Sequence, residues 1–126
     1  MLNKIFKSGL IGVFALAMIV IVTSCQKEKE TIGIIIVKDS NSAVVPNASV
    51  TLFPDPTPSP TTGFYPDPSL TKTNPTDANG RVEFTYELEA ILNISATKTE
   101  GNATYTGVNI IRLLRGKSVT KVVEIN

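Results

Sequence analysis

Apolar and polar residues alternate strictly through residues 81–89, RVEFTYELE. The apolar positions share one side of an extended chain and are Val82, Phe84, Tyr86 and Leu88. The polar positions share the other side and are Arg81, Glu83, Thr85, Glu87 and Glu89. The same period of two recurs at residues 48–53 and 91–98, with Ala48, Val50, Leu52, Leu92, Ile94 and Ala96 on the apolar side. This period predicts half-buried β-strands whose core includes Val50, Leu52, Phe84 and Ile94.

A β-branched run at residues 31–39, TIGIIIVKD, predicts a first strand that is buried on both faces. Residues 103–113 and 117–125 predict a final pair of strands around a hairpin turn at LRGK, which carries Gly116. No segment after Cys25 shows a sustained helical period. The pattern therefore predicts an all-β chain, a roughly seven-stranded antiparallel β-sandwich of Ig-like architecture.

The N-terminus carries a basic and then an apolar segment. Lys4 and Lys7 precede an apolar run at residues 10–22, which is shorter than the roughly 20 residues of a spanning helix but typical of a secretory signal. The run ends at Val22-Thr23-Ser24-Cys25, which resembles the lipobox of bacterial lipoproteins. That resemblance implies removal of residues 1–24, lipid on Cys25, and location in the cell envelope, at the outer membrane, on a face that the sequence leaves open. Residues 25–31 then form a lipidated tether, and residues 32–126 form the sandwich domain.

Composition narrows the chemistry. The formal charge is +1, and after the signal segment 10 Lys and Arg stand against 11 Asp and Glu, so nothing favours nucleic acid. One cysteine excludes an internal disulfide and a cysteine-based zinc site, and the chain has no histidine. We therefore predict no catalytic residue, no cofactor and no metal. Asp77 and Asn79 could supply calcium ligands, but a turn in which they bond their own backbone is the preferred interpretation. Glu87 and Glu89 are interpreted as a solvated strand face.

Two stretches now carry a family resemblance. The segment 33–52, GIIIVKDSNSAVVPNASVTL, followed by TDANGRVEF at residues 76–84, resembles the carboxypeptidase-regulatory-like, or transthyretin-like, β-sandwich family. The matching positions are Asp39, Pro46, Ala48, Val50, Leu52, Thr76, Asp77, Gly80, Val82 and Phe84. The resemblance implies a sandwich with a hairpin at residues 76–84 and a positive φ at Gly80. ELEAIL stands where the family carries Gly-x-Tyr, so the order of strands after residue 88 stays open.

The segment 54–68, PDPTPSPTTGFYPDP, contains six prolines in fifteen residues. Proline fixes φ and removes a donor, so this segment predicts a stiff extended connection after the second strand. Phe64 and Tyr65 lie in it. Exposed aromatics on a stiff loop are good partner contacts, although these two could instead fold back over an edge of the sandwich.

The sequence as a whole favours a lipid-anchored, monomeric, non-catalytic binding, accessory or structural module. Its partners would be the membrane, through lipid on Cys25, and an envelope protein or glycan. Two alternatives are a small envelope enzyme of carbohydrate processing and a pilin-like surface subunit.

Overall fold

The β-branched run that begins at Thr31 forms the central strand of a three-stranded sheet in the computed structural model, which describes residues 28–57, 61 and 67–126. The strands are β1 (Thr31–Lys38), β2 (Ser49–Phe53), β3 (Lys72–Pro75), β4 (Arg81–Tyr86), β5 (Ala90–Glu100), β6 (Ala103–Leu113) and β7 (Ser118–Glu124). One 3-10 turn, Pro68–Leu70, precedes β3. In the described part of the chain, no helix has the length and apolarity needed to span a membrane.

Two sheets pack against each other. The three-stranded sheet has the order β4-β1-β7, and the four-stranded sheet has the order β3-β2-β5-β6. The predicted all-β sandwich of about seven strands is confirmed. The pairing is antiparallel except between β1 and β7, which run parallel from Ile32 opposite Ser118 to Lys38 opposite Glu124.

The core lies between the sheets and is built from the inward position of each strand. The four predicted core residues are confirmed, because Val50, Leu52 and Ile94 are fully buried and Phe84 is 2% exposed. The predicted inward positions of β2 and β5 are confirmed as well. Burying a side chain of this size contributes roughly 1.5–3 kcal/mol, so these alternating positions hold the two layers together.

Three expectations about single strands are wrong. β1 is buried on one face only, since its inward residues are buried and Ile32, Ile34 and Ile36 are half-buried. Leu88 is not a core residue, because β4 ends at Tyr86 and Leu88 is 64% exposed. Glu87 and Glu89 therefore lie in the connection between β4 and β5 rather than on a strand face.

Two expectations about pairing are also wrong. β6 and β7 are not a hairpin, because β6 pairs with β5 in one sheet and β7 pairs with β1 in the other. The turn with Gly116 crosses between the layers, and its Lys117 amide donates to the Leu114 carbonyl at 3.0 Å. The segment 76–84 is likewise no hairpin, since β3 and β4 belong to different sheets. Its turn is as predicted, and Gly80 has a φ of 68°.

Candidate functional site

The three residues that the sequence singled out, Cys25, Phe64 and Tyr65, lie outside the residues that the structure describes. The flanks of the proline-rich segment are described. β2 ends at Phe53, and on the far side of the segment the Leu70 carbonyl accepts a hydrogen bond from the Tyr86 hydroxyl at 2.9 Å. This second flank therefore lies near the start of β1, because Tyr86 pairs with Thr31. The first flank lies near it as well, because a Cβ at Gly33 of β1 would be 3.8 Å from the Cδ1 atom of Leu52, the neighbour of Phe53.

The sandwich has two ends, which we name after the residues that mark them on β1. The Thr31 end holds the start of the described chain and the 114–117 turn, whose Gly116 amide donates to the Thr31 hydroxyl at 3.0 Å. The Asp39 end holds the β1–β2 loop, the tip of the β5–β6 hairpin and the last residue, Asn126. The eight residues of β1 separate the two ends by about 25 Å.

A cleft of about 580 Å³ opens at the Asp39 end. Its lining combines residues from the β1–β2 loop, the β5–β6 hairpin and the C-terminal segment: Asp39, Ser40, Asn41, Val45, Lys98, Glu100, Tyr105, Ile125 and Asn126. Ligand sites in proteins are typically concave spaces of about 300–1,000 Å³ with an apolar lining and a few convergent polar groups. The cleft falls within this range of volume, but its lining is more polar, with Val45, Tyr105 and Ile125 as its apolar residues. It is our candidate functional site.

The cleft forms because β5 and β6 extend past the core. On β5 the inward positions are apolar through Ala96 and then become Lys98 and Glu100. Tyr105 is opposite Lys98 on β6, two residues from the inward-facing Gly107. With no apolar partner layer to cover these positions, their side chains line an open space. Ile125, which is 3% exposed, and Val45 close its base.

Two charged residues of the cleft, Lys98 and Asp39, form hydrogen bonds that stabilise its lining. The Lys98 ammonium donates to the Pro46 carbonyl at 3.1 Å and to the Asn47 carbonyl at 3.4 Å, so it fastens the β1–β2 loop to β5. One carboxylate oxygen of Asp39 accepts from the backbone amides of Asn41 at 2.9 Å and Ala43 at 3.0 Å. This is an Asx turn, which fixes the shape of the loop. The carboxylate of Glu100 lies on the exposed rim.

The proposed turn role of Asp77 is confirmed. Its carboxylate accepts from the amides of Asn79 at 2.9 Å and Arg81 at 3.0 Å. Asp55 and Asp67 accept from Thr57 and Ser69 in the same way, so all four aspartates of the chain stabilise turns. No group of three or more potential metal-ligating side chains occurs within residues 28–57, 61 and 67–126.

Within the residues that the structure describes, two groups have a pKa shifted from its ordinary value, and both lie at the Thr31 end. Hydrogen bonds from Ser69 lower the pKa of Asp67 below its ordinary value. Burial raises the pKa of Tyr86 to about 12. Lys72 places its ammonium 4.5 Å from the centre of the same ring, a cation–π contact that covers this end of the core.

No family model matches this sequence, and no curated protein matches it either. Among solved structures, a proposed carbohydrate-binding protein from Pseudomonas aeruginosa aligns with 82% of this chain and 93% of its own, at 15% identity and a TM-score of 0.47. A catechol 1,2-dioxygenase from Acinetobacter sp. ADP1, inhibited by bound mercury, aligns with 81% of this chain and 54% of its own, at 12% identity and a TM-score of 0.47. Both are β-rich proteins, and likeness at this level concerns the fold alone.

Proposed function

We propose that the chain is a lipid-anchored protein of the cell envelope, held at the outer membrane through Cys25, whose sandwich binds a ligand at the Asp39 end without catalysing a reaction. The carboxypeptidase-regulatory-like resemblance of residues 33–84 belongs to the same proposal. The observation that carries it is the position of the cleft. The chain enters the fold at the Thr31 end, and the cleft lies at the other end of β1.

This arrangement suits an anchored binding protein. A lipid on Cys25 would hold the Thr31 end toward the bilayer. Only a short segment would connect the lipid to β1, and it includes the exposed charged residues Glu28, Lys29 and Glu30. The cleft would then open about 25 Å farther out, the length of β1. A ligand in the surrounding space could enter it without crossing the membrane-facing end.

The chemistry of the cleft favours binding over catalysis. A nucleophilic mechanism needs a base next to the nucleophile, and the chain has no histidine for that role. A two-carboxylate mechanism needs two carboxyl groups that are free to exchange protons. In the cleft Asp39 already accepts two backbone amides, which leaves Glu100 as the acid without such a structural task.

Site-specific labelling tests the proposed orientation. We would express the full chain in a bacterial envelope with a single added cysteine, either Asn41→Cys at the cleft or Leu88→Cys at the Thr31 end, and treat intact membranes with a bulky maleimide. Both positions are exposed in the fold, so they react equally in a detergent extract. In membranes Asn41→Cys should react faster than Leu88→Cys.

A second variant supplies the control. Replacing Cys25 by serine should release the protein from the membrane and abolish incorporation of a labelled fatty acid. It should also equalise the two labelling rates. Retention of the fatty acid in Cys25→Ser, or equal rates for the two positions in membranes, would refute the proposal.

A further inference from the structure

We propose that the cleft at the Asp39 end binds a neutral saccharide. This inference rests on the proposed function and names the ligand class of the same site. Three properties of the cleft favour such a ligand: an exposed aromatic ring, uncharged hydrogen-bonding groups around it, and a distribution of charge that disfavours anions.

The aromatic ring is Tyr105. It is 40% exposed, although it occupies a position on β6 that would point between the sheets if the second layer extended this far. Together with Val45 and the buried Ile125 it gives the cleft one apolar surface. A pyranose ring presents a face of C–H groups, which packs on an aromatic ring as other flat apolar groups do. Because β6 is held by β5 along its length, little entropy is lost when this ring is covered.

The hydrogen-bonding groups are Ser40, Asn41 and Asn126, with the Glu100 carboxylate on the rim. A side-chain amide both donates and accepts, and a carboxylate accepts from two neighbouring hydroxyls at once. Adjacent hydroxyl groups on a sugar ring match this mixture of donors and acceptors. A purely apolar ligand would leave the same groups unpaired when it displaced their water.

The charges in the cleft disfavour an anionic ligand. Asp39 and Glu100 bring two negative charges, and the one cation of the lining, Lys98, directs its ammonium to the carbonyls of Pro46 and Asn47. A phosphate, sulfate or uronic acid group would meet the carboxylates without a free cation to balance it. A neutral saccharide avoids that cost, and it gains from the carboxylate of Glu100 as an acceptor.

The test uses the full chain purified in detergent and an array of neutral disaccharides of glucose, galactose, mannose and N-acetylglucosamine, beside their sulfated and uronic acid counterparts. Binding is then measured by isothermal titration calorimetry, because this readout does not depend on Tyr105 and can be used for every variant. We expect at least one neutral disaccharide to bind and the charged counterparts to bind more weakly.

Two variants assign that binding to the cleft. Tyr105→Ala removes the ring and Glu100→Gln removes the charged acceptor, and each should weaken binding about tenfold. The matched controls are Glu89→Gln, an exposed glutamate at the Thr31 end, and Val108→Ala, an exposed residue on the same strand as Tyr105. Both controls should bind as the unmodified chain does. Circular dichroism melting curves establish that every variant is folded.

Failure of this inference can be told from failure of the proposed function. An array without a bound neutral disaccharide, equal binding of the charged counterparts, or equal loss in a control variant would overturn the saccharide assignment. The labelling rates of Asn41→Cys and Leu88→Cys are measured without added saccharide, so they decide the anchored orientation separately. Hydrolysis of a bound disaccharide that disappears in Glu100→Gln would instead overturn the non-catalytic part of the proposed function.

Discussion

The backbone of Thr106 exchanges two hydrogen bonds with the backbone of Asn126. The Thr106 amide donates to the Asn126 carbonyl at 3.2 Å, and the Asn126 amide donates to the Thr106 carbonyl at 3.1 Å. These bonds connect the edge strand of the four-stranded sheet to the end of the three-stranded sheet. One corner of the sandwich is therefore closed, and the strands are brought together directly beside the cleft.

The closed corner predicts that Gly107 tolerates no side chain. A Cβ at this position would lie 2.1 Å from the Glu124 carbonyl oxygen, so β7 must move away when one is added. We expect Gly107→Ala to reduce the free energy of unfolding by about 1–3 kcal/mol, the usual cost of overpacking. Urea unfolding measures this, with Val108→Ala as the control because that side chain is 81% exposed. A Gly107→Ala protein as stable as the control would show that the corner opens without cost.

Phe84 is expected to dominate the stability of the core. It is the largest of the fully buried side chains and is 2% exposed between the sheets. Phe84→Ala should cost about 3–5 kcal/mol, a large part of the roughly 5–15 kcal/mol that stabilises a typical domain. Phe53→Ala is the matched control, because Phe53 is only half-buried and should cost less. If thermal melts show that the two substitutions lower the melting temperature equally, the assignment of Phe84 to the core is contradicted.

Tyr86 predicts a loss of stability in alkali. Its folded-state pKa is raised by burial to about 12, from an ordinary value of 10.0. A raised pKa means that the neutral phenol is favoured by the folded state. The resulting stability is complete below pH 10.0 and is lost as the pH rises through about 12. Urea unfolding on both sides of pH 10 should show a steeper decline for the unmodified chain than for Tyr86→Phe.

The matching spectroscopic observation comes from the tyrosinate absorbance. The absorbance titration of the unmodified chain should include a transition near pH 12, and that transition should be missing in Tyr86→Phe. At neutral pH, Tyr86→Phe should lower the free energy of unfolding by about 0.5–1.5 kcal/mol, because the hydrogen bond to the Leu70 carbonyl is lost. An absorbance titration of the folded chain without a transition near pH 12 would rule out the buried phenol.

The contact role of Phe64 and Tyr65 stays a prediction. Replacing both by alanine should leave the melting temperature nearly unchanged while weakening capture of an envelope protein by the purified chain. Saccharide binding should be unaffected, because the flanks of this segment lie at the Thr31 end and the cleft lies at the Asp39 end. A double variant that melts several degrees lower would show that the two rings pack on the fold instead.

Alternation along the chain predicted the core because each strand of a two-layer sandwich buries one face. It failed at Leu88 for a physical reason. Thr31 pairs with Tyr86 and begins β1, so no partner strand remains beyond that point, and the pattern in the sequence continues after the sheet has ended. Local patterns also do not indicate which sheet receives a strand. A turn such as residues 114–117 can join two strands of one sheet or connect the two sheets. Here it connects the two sheets, because β7 pairs with β1.

The cleft left a weak signal in the sequence that the prediction did not use. Along β5 the inward positions change from Ala96 to Lys98, and Tyr105 is opposite, so the apolar face ends before the strands do. Gly107 in the middle of an eleven-residue strand was a second signal, since glycine inside a strand marks a close approach of another backbone. The loop and the C-terminal residues that complete the cleft come from distant parts of the chain, and no local pattern connects them.

The parallel pairing of β1 with β7 has a consequence for the order in which the two sheets form during synthesis. The first strand to emerge is the central strand of its sheet, and its partner at Ser118 follows 86 positions after Ile32 (118 − 32). Closing so long a loop is entropically costly, and contacts of this range form late. A chain that is synthesised from its N-terminus therefore cannot complete the three-stranded sheet until β7 has been made. The four-stranded sheet, whose strands all precede β7, does not have to wait for it.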